Sequence, residues 1–223
     1  MSPTAKRNLI LWLLGGAIVV AIAWRFFDGP VDSALSVAGH PSPQRLAWWC
    51  SEIGEGWFIA VWGISFAALF LLMRRPGIAA KIFFVGFTAE MTGLAATICR
   101  TFIGRTRPSA NVPQGIYGIW HDGHWIIGKY EFGSFPSGHS AVAAGLLTAV
   151  WLFSPRWRVV AVVYAVAVMW SRIAQSAHHL SDVMASIVLS VPIAVLMNKY
   201  FTAANEIFFQ KLSQKMGTDK PAG

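Results

Sequence analysis

The sequence predicts an all-α protein, a polytopic membrane bundle of about six transmembrane helices, and two observations carry this prediction. Hydrophobic residues make up 55% of the 223 residues and charged residues only 13%, with a mean hydropathy of +0.52. A soluble domain carries about 25% charged residues, so this composition excludes an ordinary soluble protein. The apolar residues also fall in separate runs whose lengths are close to the ~20 residues that a helix needs to cross a bilayer.

Six apolar runs define the predicted spans, approximately residues 8–27, 57–73, 79–103, 137–153, 157–176 and 180–201. The whole chain, 1–223, is predicted to be one integral-membrane domain with a flexible C-terminal tail from about residue 212. The first run also resembles a cleaved secretory signal, because Lys6 and Arg7 precede it and Ala21–Ala23 could be a cleavage site. An uncleaved span is preferred, since the apolar run continues to Phe27 with Trp24 as an interfacial anchor.

The basic residues predict the orientation, because Lys and Arg are enriched in cytoplasmic connections. With the N-terminus inside, 11 of the 18 basic residues fall on the cytoplasmic side: Lys6, Arg7, Arg74, Arg75, Lys81, Arg156, Arg158, Lys199, Lys211, Lys215 and Lys220. Both termini are therefore expected in the cytoplasm of a bacterium, with the other side of the inner membrane facing the periplasm. These flanks beside anionic lipids also account for the net charge of +8 without nucleic-acid binding.

The first polar cluster lies at the outer end of the third span and contains Arg100, Arg107 and Pro108. Arg100 and Arg107 are seven residues apart, about two helical turns, so both are expected on one helix face before Pro108 ends the helix. Two guanidinium groups on one face can clamp a phosphate through paired hydrogen bonds. Arg105 falls on another face and is expected to belong to a basic collar at the membrane interface.

The second cluster is Pro136-Ser137-Gly138-His139, immediately before the fourth span. Ser137 is a natural N-cap residue, and Gly138 lets a ligand approach the backbone closely. The N-terminus of a helix offers free N–H groups and a positive dipole end, which together favour an anion. His139, in the first turn, is then expected to face that anion.

The third cluster runs from Ser171 to Asp182 and places Arg172, His178 and Asp182 at the end of an apolar run. Ionisable groups at membrane depth are costly and mark a functional site. If this stretch is helical, His178 and Asp182 share a face and the carboxylate can orient the imidazole. Together the clusters predict one pocket with three arginines, helix-terminal amides and two histidines, which suits phosphoryl transfer.

No metal or cofactor is expected in this pocket, because no acidic or His/Cys cluster of the metal-ligand type accompanies the arginines. Arginines and backbone donors would instead neutralise the charge on the phosphate oxygens. The two cysteines, Cys50 and Cys99, lack metal-ligand spacing, and the sequence leaves open whether they form a disulfide.

The three motifs resemble a known family. Arg100-x6-Arg107-Pro108, Pro136-Ser137-Gly138-His139 and Ser171-Arg172-x5-His178-x3-Asp182 are similar to the three-part signature of the type 2 phosphatidic acid phosphatase (PAP2) superfamily. The resemblance covers residues 100–182 in motif and, through the six-span layout, most of the chain. The sequence departs from the pattern at Arg100, where the family usually has lysine. The charge is the same, so we expect an effect on specificity or rate there and not a loss of activity.

The resemblance implies a role for each matching residue. His178 would be the nucleophile that forms a phosphohistidine, with Asp182 as its orienting partner. His139 would protonate the leaving oxygen and later activate water. His179 is one residue outside the motif spacing and is expected to be only a neighbour. The residues that would hold the phosphate are Arg100, Arg107, Arg172, Ser137 and Gly138.

The function implied by the resemblance is that of an integral-membrane, metal-independent lipid phosphatase acting on a phosphomonoester or pyrophosphate. Implied substrates include undecaprenyl pyrophosphate, phosphatidylglycerophosphate, phosphatidate and lipid A phosphates, and the sequence does not choose among them. One alternative is a phosphotransferase, in which another acceptor replaces water at the phosphohistidine. A second is a small anion transporter or channel with the arginines as a selectivity ring. The two histidines argue against a channel, because conduction needs no nucleophile. The oligomeric state is not predicted.

Overall fold

The computed structural model describes residues 2–215, with side chains described as far as residue 203, and it is mostly helical. The described residues form eight α-helices: α1 (Pro3–Ile22), α2 (Asp28–Leu35), α3 (Pro41–Glu52), α4 (Gly56–Leu72), α5 (Pro76–Ile103), α6 (Gly138–Phe153), α7 (Arg158–Ala174) and α8 (Leu180–Lys215). A π-helical turn, Ala23–Phe27, joins α1 to α2. One small antiparallel hairpin pairs β1 (Trp120–His121) with β2 (His124–Trp125). The predicted all-α class is confirmed.

Four helical segments are long and apolar enough to cross a membrane: Pro3–Leu35, Pro76–Ile103, Pro155–Ala174 and Leu180–Ala203. Helices α3 and α4 meet at an angle of 53° and count as a fifth span if taken together. Helix α6, with 16 residues, is the shorter sixth apolar helix. Each of the six predicted spans therefore falls on a helix. Of the predicted C-terminal tail, residues 212–215 continue α8 and residues 216–223 lie outside the described part of the chain.

Large apolar side chains cover the outside of the bundle. Leu72, for example, is 82% exposed and Val159 is 75% exposed. Soluble monomers rarely present contiguous apolar surface on this scale, whereas helices that face lipid do so along their whole length. The exposed surface therefore agrees with the hydropathy of the helices, and the protein is an integral membrane protein.

Helices α5 and α6 pack closely because small residues lie at their contact. A Cβ on Gly145 of α6 would lie only 2.2 Å from the Thr92 Oγ1 of α5. The Thr92 hydroxyl donates a hydrogen bond of 2.7 Å to the carbonyl of Ala141. Close approach of this kind is typical of small residues and hydroxyls between membrane helices. It places the N-terminus of α6 beside the last turns of α5, where Thr97 Oγ1 would be 3.9 Å from a Cβ on Gly138.

Helix α5 ends at Ile103, four residues before Arg107, and this corrects the sequence prediction. Gly104 has φ +63° and terminates the helix in the left-handed conformation. The chain then folds back, because the Gly104 carbonyl accepts from Tyr117 N at 3.0 Å and a Cβ on Gly104 would be 1.9 Å from Gly118 O. Arg100 and Arg107 are therefore not on one face of one helix.

Helix α1 packs on α8, and its continuation as α2 reaches the functional end of the bundle. Trp12 Nε1 donates to Val188 O at 3.0 Å, and Gly16 leaves room for the Val188 side chain. The predicted first span ends at Phe27, but the helical path continues to Leu35. This extension carries Asp28 to Ser181 in the first turn of α8, and Asp32 to His179 in the loop between α7 and α8.

Candidate active site

The three polar clusters of the sequence meet at one end of the bundle. They come from the end of α5 with its following loop, from the start of α6, and from residues 171–182 around the α7–α8 loop. A Cβ on Gly138 would lie 3.5 Å from Arg100 Nη1, which joins the first cluster to the second. The Ser137 amide donates to the Asp182 carbonyl at 3.3 Å, which joins the second to the third.

His178 lies at the centre of this arrangement and is almost fully buried, with a side chain only 1% exposed. Its Nδ1 is 2.7 Å from the carbonyl oxygen of Ser134, which can only accept, so Nδ1 carries the proton. Its Nε2 is buried and has no hydrogen-bond partner among the described residues. Burial, followed by the charges of Arg172 and Arg107, lowers the pKa of His178 well below its ordinary value. The imidazole is therefore neutral, with a free lone pair on Nε2.

Asp182 does not hold His178 in the way the spacing predicts. Helix α8 begins at Leu180, so the two residues do not share a helical face, and Asp182 Oδ2 is 3.7 Å from His178 Nδ1. The carboxylate instead accepts from the Ser134 hydroxyl, from Arg105 Nη1 and, at 2.8 Å, from the His179 amide. Asp182 therefore acts on the imidazole indirectly. It fixes Ser134, and the Ser134 carbonyl accepts a hydrogen bond from His178 Nδ1.

Arg105 is the largest correction to the sequence prediction, because it is buried in the site and does not belong to an interfacial collar. It is only 4% exposed. Its Nη1 donates to the Ser181 hydroxyl at 2.6 Å and also to Asp182, while Nη2 donates to Asp28 Oδ2 at 2.7 Å. Asp28 also accepts from the amide of Ser181 at 2.8 Å. One cation therefore joins two buried carboxylates and offsets part of their negative charge.

The other three arginines of the predicted site come from different elements. Arg107, in the loop after α5, donates from Nε to Tyr130 O at 2.8 Å and from Nη1 to Ala177 O at 3.1 Å. Arg172, from α7, donates to the Ser51 hydroxyl. Its Nε is buried and has no partner in the part of the chain that the structure describes. A Cβ on Gly133 would lie 3.5 Å from Arg100 Cδ and 3.8 Å from Arg107 Nη2, so these two arginines converge on one glycine.

The start of α6 has the predicted cap. Ser137 is the N-cap residue, and its Oγ accepts from the Ser140 amide at 3.4 Å. Gly138 and His139 form the first turn of the helix. His139 Nε2 lies 2.9 Å from Glu55 Oε1, but the two atoms are not aligned as a hydrogen bond. Sequence reasoning missed Glu55, which carries no motif and precedes α4.

His179 is also more than a neighbour of His178. Its Nδ1 is 2.5 Å from Asp32 Oδ2, and its Nε2 faces Thr106 O at 3.3 Å and Gln114 Oε1 at 3.2 Å. Its side chain therefore points away from the nucleophile and ties the α7–α8 loop to α2 and to the loop after α5. No signal in the sequence links these residues, because Asp32 is 147 positions from His179.

The site has the chemistry of an anion pocket. In the described residues, no group of three or more His, Cys, Asp or Glu side chains is placed to hold a metal ion. Cys50 and Cys99 are both free thiols, which answers the question that the sequence left open. These residues therefore offer arginines and the amides at the start of α6 to an anion, and an unprotonated imidazole nitrogen to its central atom.

Comparisons of sequence give the same result. The PAP2 superfamily profile matches residues 79–206. A lipid A 1-phosphatase of Rhizobium johnstonii is 26% identical over 221 residues, which cover 92% of this chain and 85% of the relative. A lipid A 1-phosphatase of Rhizobium etli is 27% identical over 179 residues, which cover 75% of this chain and 74% of the relative.

Two solved structures share the fold. A PAP2-type phosphatidylglycerolphosphate phosphatase from Bacillus subtilis has a TM-score of 0.61 at 20% identity, covering 86% of this chain and 94% of its own. Aquifex aeolicus LpxE has a TM-score of 0.54 at 15% identity, covering 78% of this chain and 95% of its own. At these identities the likeness concerns the fold alone. The family profile, however, matches more than half of the chain and includes all three clusters of the site. The chain therefore belongs to the PAP2 superfamily, and it is a membrane phosphatase.

Proposed function

We propose that the protein removes a phosphate group from a membrane lipid through a phosphohistidine formed at His178. The observation that carries this proposal is the state of the imidazole. Its Nδ1 proton is held by Ser134 O at 2.7 Å, and its Nε2 is buried without a partner among the described groups. A neutral imidazole with an oriented lone pair is the reactive form of a histidine nucleophile.

In the first step His178 Nε2 attacks phosphorus, so that a P–N bond forms and the P–O bond to the lipid breaks. His139 donates a proton to the lipid oxygen as it leaves. In the second step water attacks phosphorus, His139 takes a proton from that water, and the P–N bond breaks. Inorganic phosphate leaves and His178 returns to its neutral form. The proton stays on Nδ1 and donates to Ser134 O throughout. Asp182 is a positioning residue in both steps.

Arg100, Arg107 and Arg172 hold the phosphate oxygens, together with the backbone at Ser137 and Gly138. Phosphoryl transfer spreads negative charge over the equatorial oxygens, and fixed cations and amides stabilise that charge without reorganisation. The burial of Arg172 Nε without a partner among the described residues supports this role, because a buried donor of this kind is costly until an acceptor arrives.

Among lipid phosphates, the 1-phosphate of lipid A is the best supported substrate. Both Rhizobium relatives are named lipid A 1-phosphatases, and one of them aligns with 92% of this chain. The Bacillus subtilis neighbour is named for phosphatidylglycerolphosphate, which is the next substrate to test.

The lipid tails stay in the bilayer while the headgroup enters the pocket on the periplasmic side of the inner membrane. An impermeant thiol reagent should therefore label Asn111→Cys, in a background without Cys50 and Cys99, on intact cells.

The test is phosphate release by the purified protein from lipid A 1-phosphate, phosphatidylglycerophosphate, phosphatidate and undecaprenyl pyrophosphate, each with and without EDTA. We expect the highest kcat/KM with lipid A and no loss in EDTA. Loss of lipid phosphate without an equal amount of free phosphate would identify a phosphotransferase. Equal rates for the wild type and His178→Gln would contradict the proposed nucleophile.

A further inference from the structure

Glu55 is an acidic side chain at the edge of a pocket built for an anion, and the mechanism above gives it no task. It precedes α4 as the N-cap residue, but its carboxylate does not cap that helix. Instead Oε1 lies 2.9 Å from Nε2 of His139, in the first turn of α6. A carboxylate in this position has the same sign of charge as the phosphate that the pocket would bind.

The exposure of the side chains places Glu55 at the entrance. His178 is 1% exposed, His139 is 17% exposed and Glu55 is 38% exposed, so accessibility rises along this path from the nucleophile outward. An anion that approaches His178 along this path meets Glu55 first. Glu55 therefore lies on the side from which an anion enters.

The charges around Glu55 are those of the phosphate site. The positive charges of Arg172 and Arg100 both act on the Glu55 carboxylate, as His139 does through its close contact. The carboxylate acts in turn on both arginines. The other carboxylates near the site are engaged elsewhere, since Asp28 and Asp182 are bonded to Arg105 and Asp32 to His179.

We propose that Glu55 is the resident counter-ion of the phosphate pocket, which the substrate phosphate displaces and which competes with the phosphate product for Arg100 and Arg172. This inference rests on the proposed function, because it takes the pocket to be the phosphate site. Glu55 has room to move, because its side chain is partly exposed. Its departure also removes the carboxylate from His139 Nε2, which leaves that nitrogen available for proton transfer. Its return lowers the affinity for the product in a pocket with three arginines.

The test is the affinity of the purified protein for inorganic phosphate and for orthovanadate, measured by the shift of the thermal midpoint. Glu55→Gln keeps the size of the side chain and removes its charge. We expect both anions to bind about two- to fivefold more tightly, the size of effect that a partly exposed charge exerts. In about 0.5 M salt the difference should shrink, because screening acts on a charge effect. The KM for the lipid should fall by the same factor.

Two matched variants separate charge from structure. Glu52→Gln removes a charge three residues away, at the end of α3, and should leave anion affinity unchanged. Glu55→Asp keeps the charge on a shorter side chain and should stay within about twofold of the wild type. Unchanged or weaker anion binding in Glu55→Gln overturns the inference, and so does a loss of kcat without a change in anion affinity.

The anion measurement needs no turnover, so the two proposals can fail separately. If Glu55→Gln binds phosphate more tightly but no lipid phosphate is hydrolysed, the counter-ion stands and the proposed reaction fails. If lipid is hydrolysed through His178 and Glu55→Gln leaves phosphate affinity unchanged, the reaction stands and the counter-ion fails.

Discussion

The two histidines of the site lie in opposite kinds of surroundings. His178 is buried, its Nδ1 is fixed by a backbone carbonyl, and behind that carbonyl lies the buried network of Asp182, Arg105 and Asp28. His139 is partly exposed, and its Nε2 faces Glu55 without an aligned hydrogen bond. The difference matches the two proposed tasks. A nucleophile must keep one orientation, whereas an acid and base must serve a leaving oxygen in one step and a water molecule in the next.

The largest expected effect separates the two histidines directly. His178→Gln retains a side chain that can bond to Ser134 O but has no nucleophilic nitrogen, so we expect no phosphoenzyme and activity at background. His139→Ala should still form a phosphoenzyme from a substrate with a good leaving group, because proton donation matters less there. Acid-quenched trapping of labelled phosphate measures both, with the exposed His124→Ala as the control. Equal phosphoenzyme in the two variants would reverse the comparison.

The second prediction tests whether the buried network of Asp182, Arg105 and Asp28 stabilises the fold. Arg105→Ala leaves Asp28 and Asp182 buried without their shared cation. Removing one partner from a buried ion pair costs about 3–5 kcal/mol of folding stability. We therefore expect a large fall in the thermal midpoint in detergent, whereas Arg25→Ala, at an exposed arginine just before α2, should change it little. Similar midpoints for the two variants would mean that the network does not support the fold.

The same comparison explains what the sequence could and could not predict. Membrane class, the helices and the three clusters follow from apolar runs and local motifs, which are properties of neighbouring residues. The partner of Arg105 is Asp28, 77 positions away, and no local spacing identifies it. The acceptor of His178 is the carbonyl of Ser134, and every residue has a carbonyl, so residue type cannot reveal it. The prediction that Arg100 and Arg107 lie two helical turns apart on one helix face was wrong, because Gly104 ends α5 before Arg107 is reached.

The third prediction concerns Arg100, on the His139 side of the site, where the family usually has lysine. Arg100 bonds only weakly within the described residues, with Nη2 at 3.3 Å from Thr97 Oγ1, and it lies next to Gly138. Its charge should therefore matter more than its shape. Arg100→Ala should lower kcat/KM about a hundredfold, or about 3 kcal/mol, while Arg100→Lys should retain much more activity. Steady-state rates on one lipid, with protein level checked, decide it. If Arg100→Lys is as inactive as Arg100→Ala, the guanidinium has a geometric role that charge alone does not explain.

The smallest effect is a dependence of stability on pH that arises at the buried His178. Burial and the charges of Arg172 and Arg107 lower the pKa of His178 in the folded protein, while in the unfolded chain it has its ordinary value of about 6.5. Below pH 6.5 the unfolded chain therefore binds a proton that the folded protein does not, and stability falls as the pH falls, by about 1.4 kcal/mol per unit at most. Above about pH 7.5 both states are neutral at this residue and the contribution is constant.

His178→Gln cannot titrate, so the thermal midpoints of wild type and variant should run parallel above pH 7.5 and converge, or cross, as the pH is lowered toward 5. His124→Gln is the matched control, and its midpoint should follow the wild type because this side chain is exposed. Parallel midpoints for the wild type and His178→Gln over the whole range would mean that His178 takes up its proton as readily in the folded protein as in the unfolded chain, and the neutral imidazole that the proposed nucleophile needs would then lose its support.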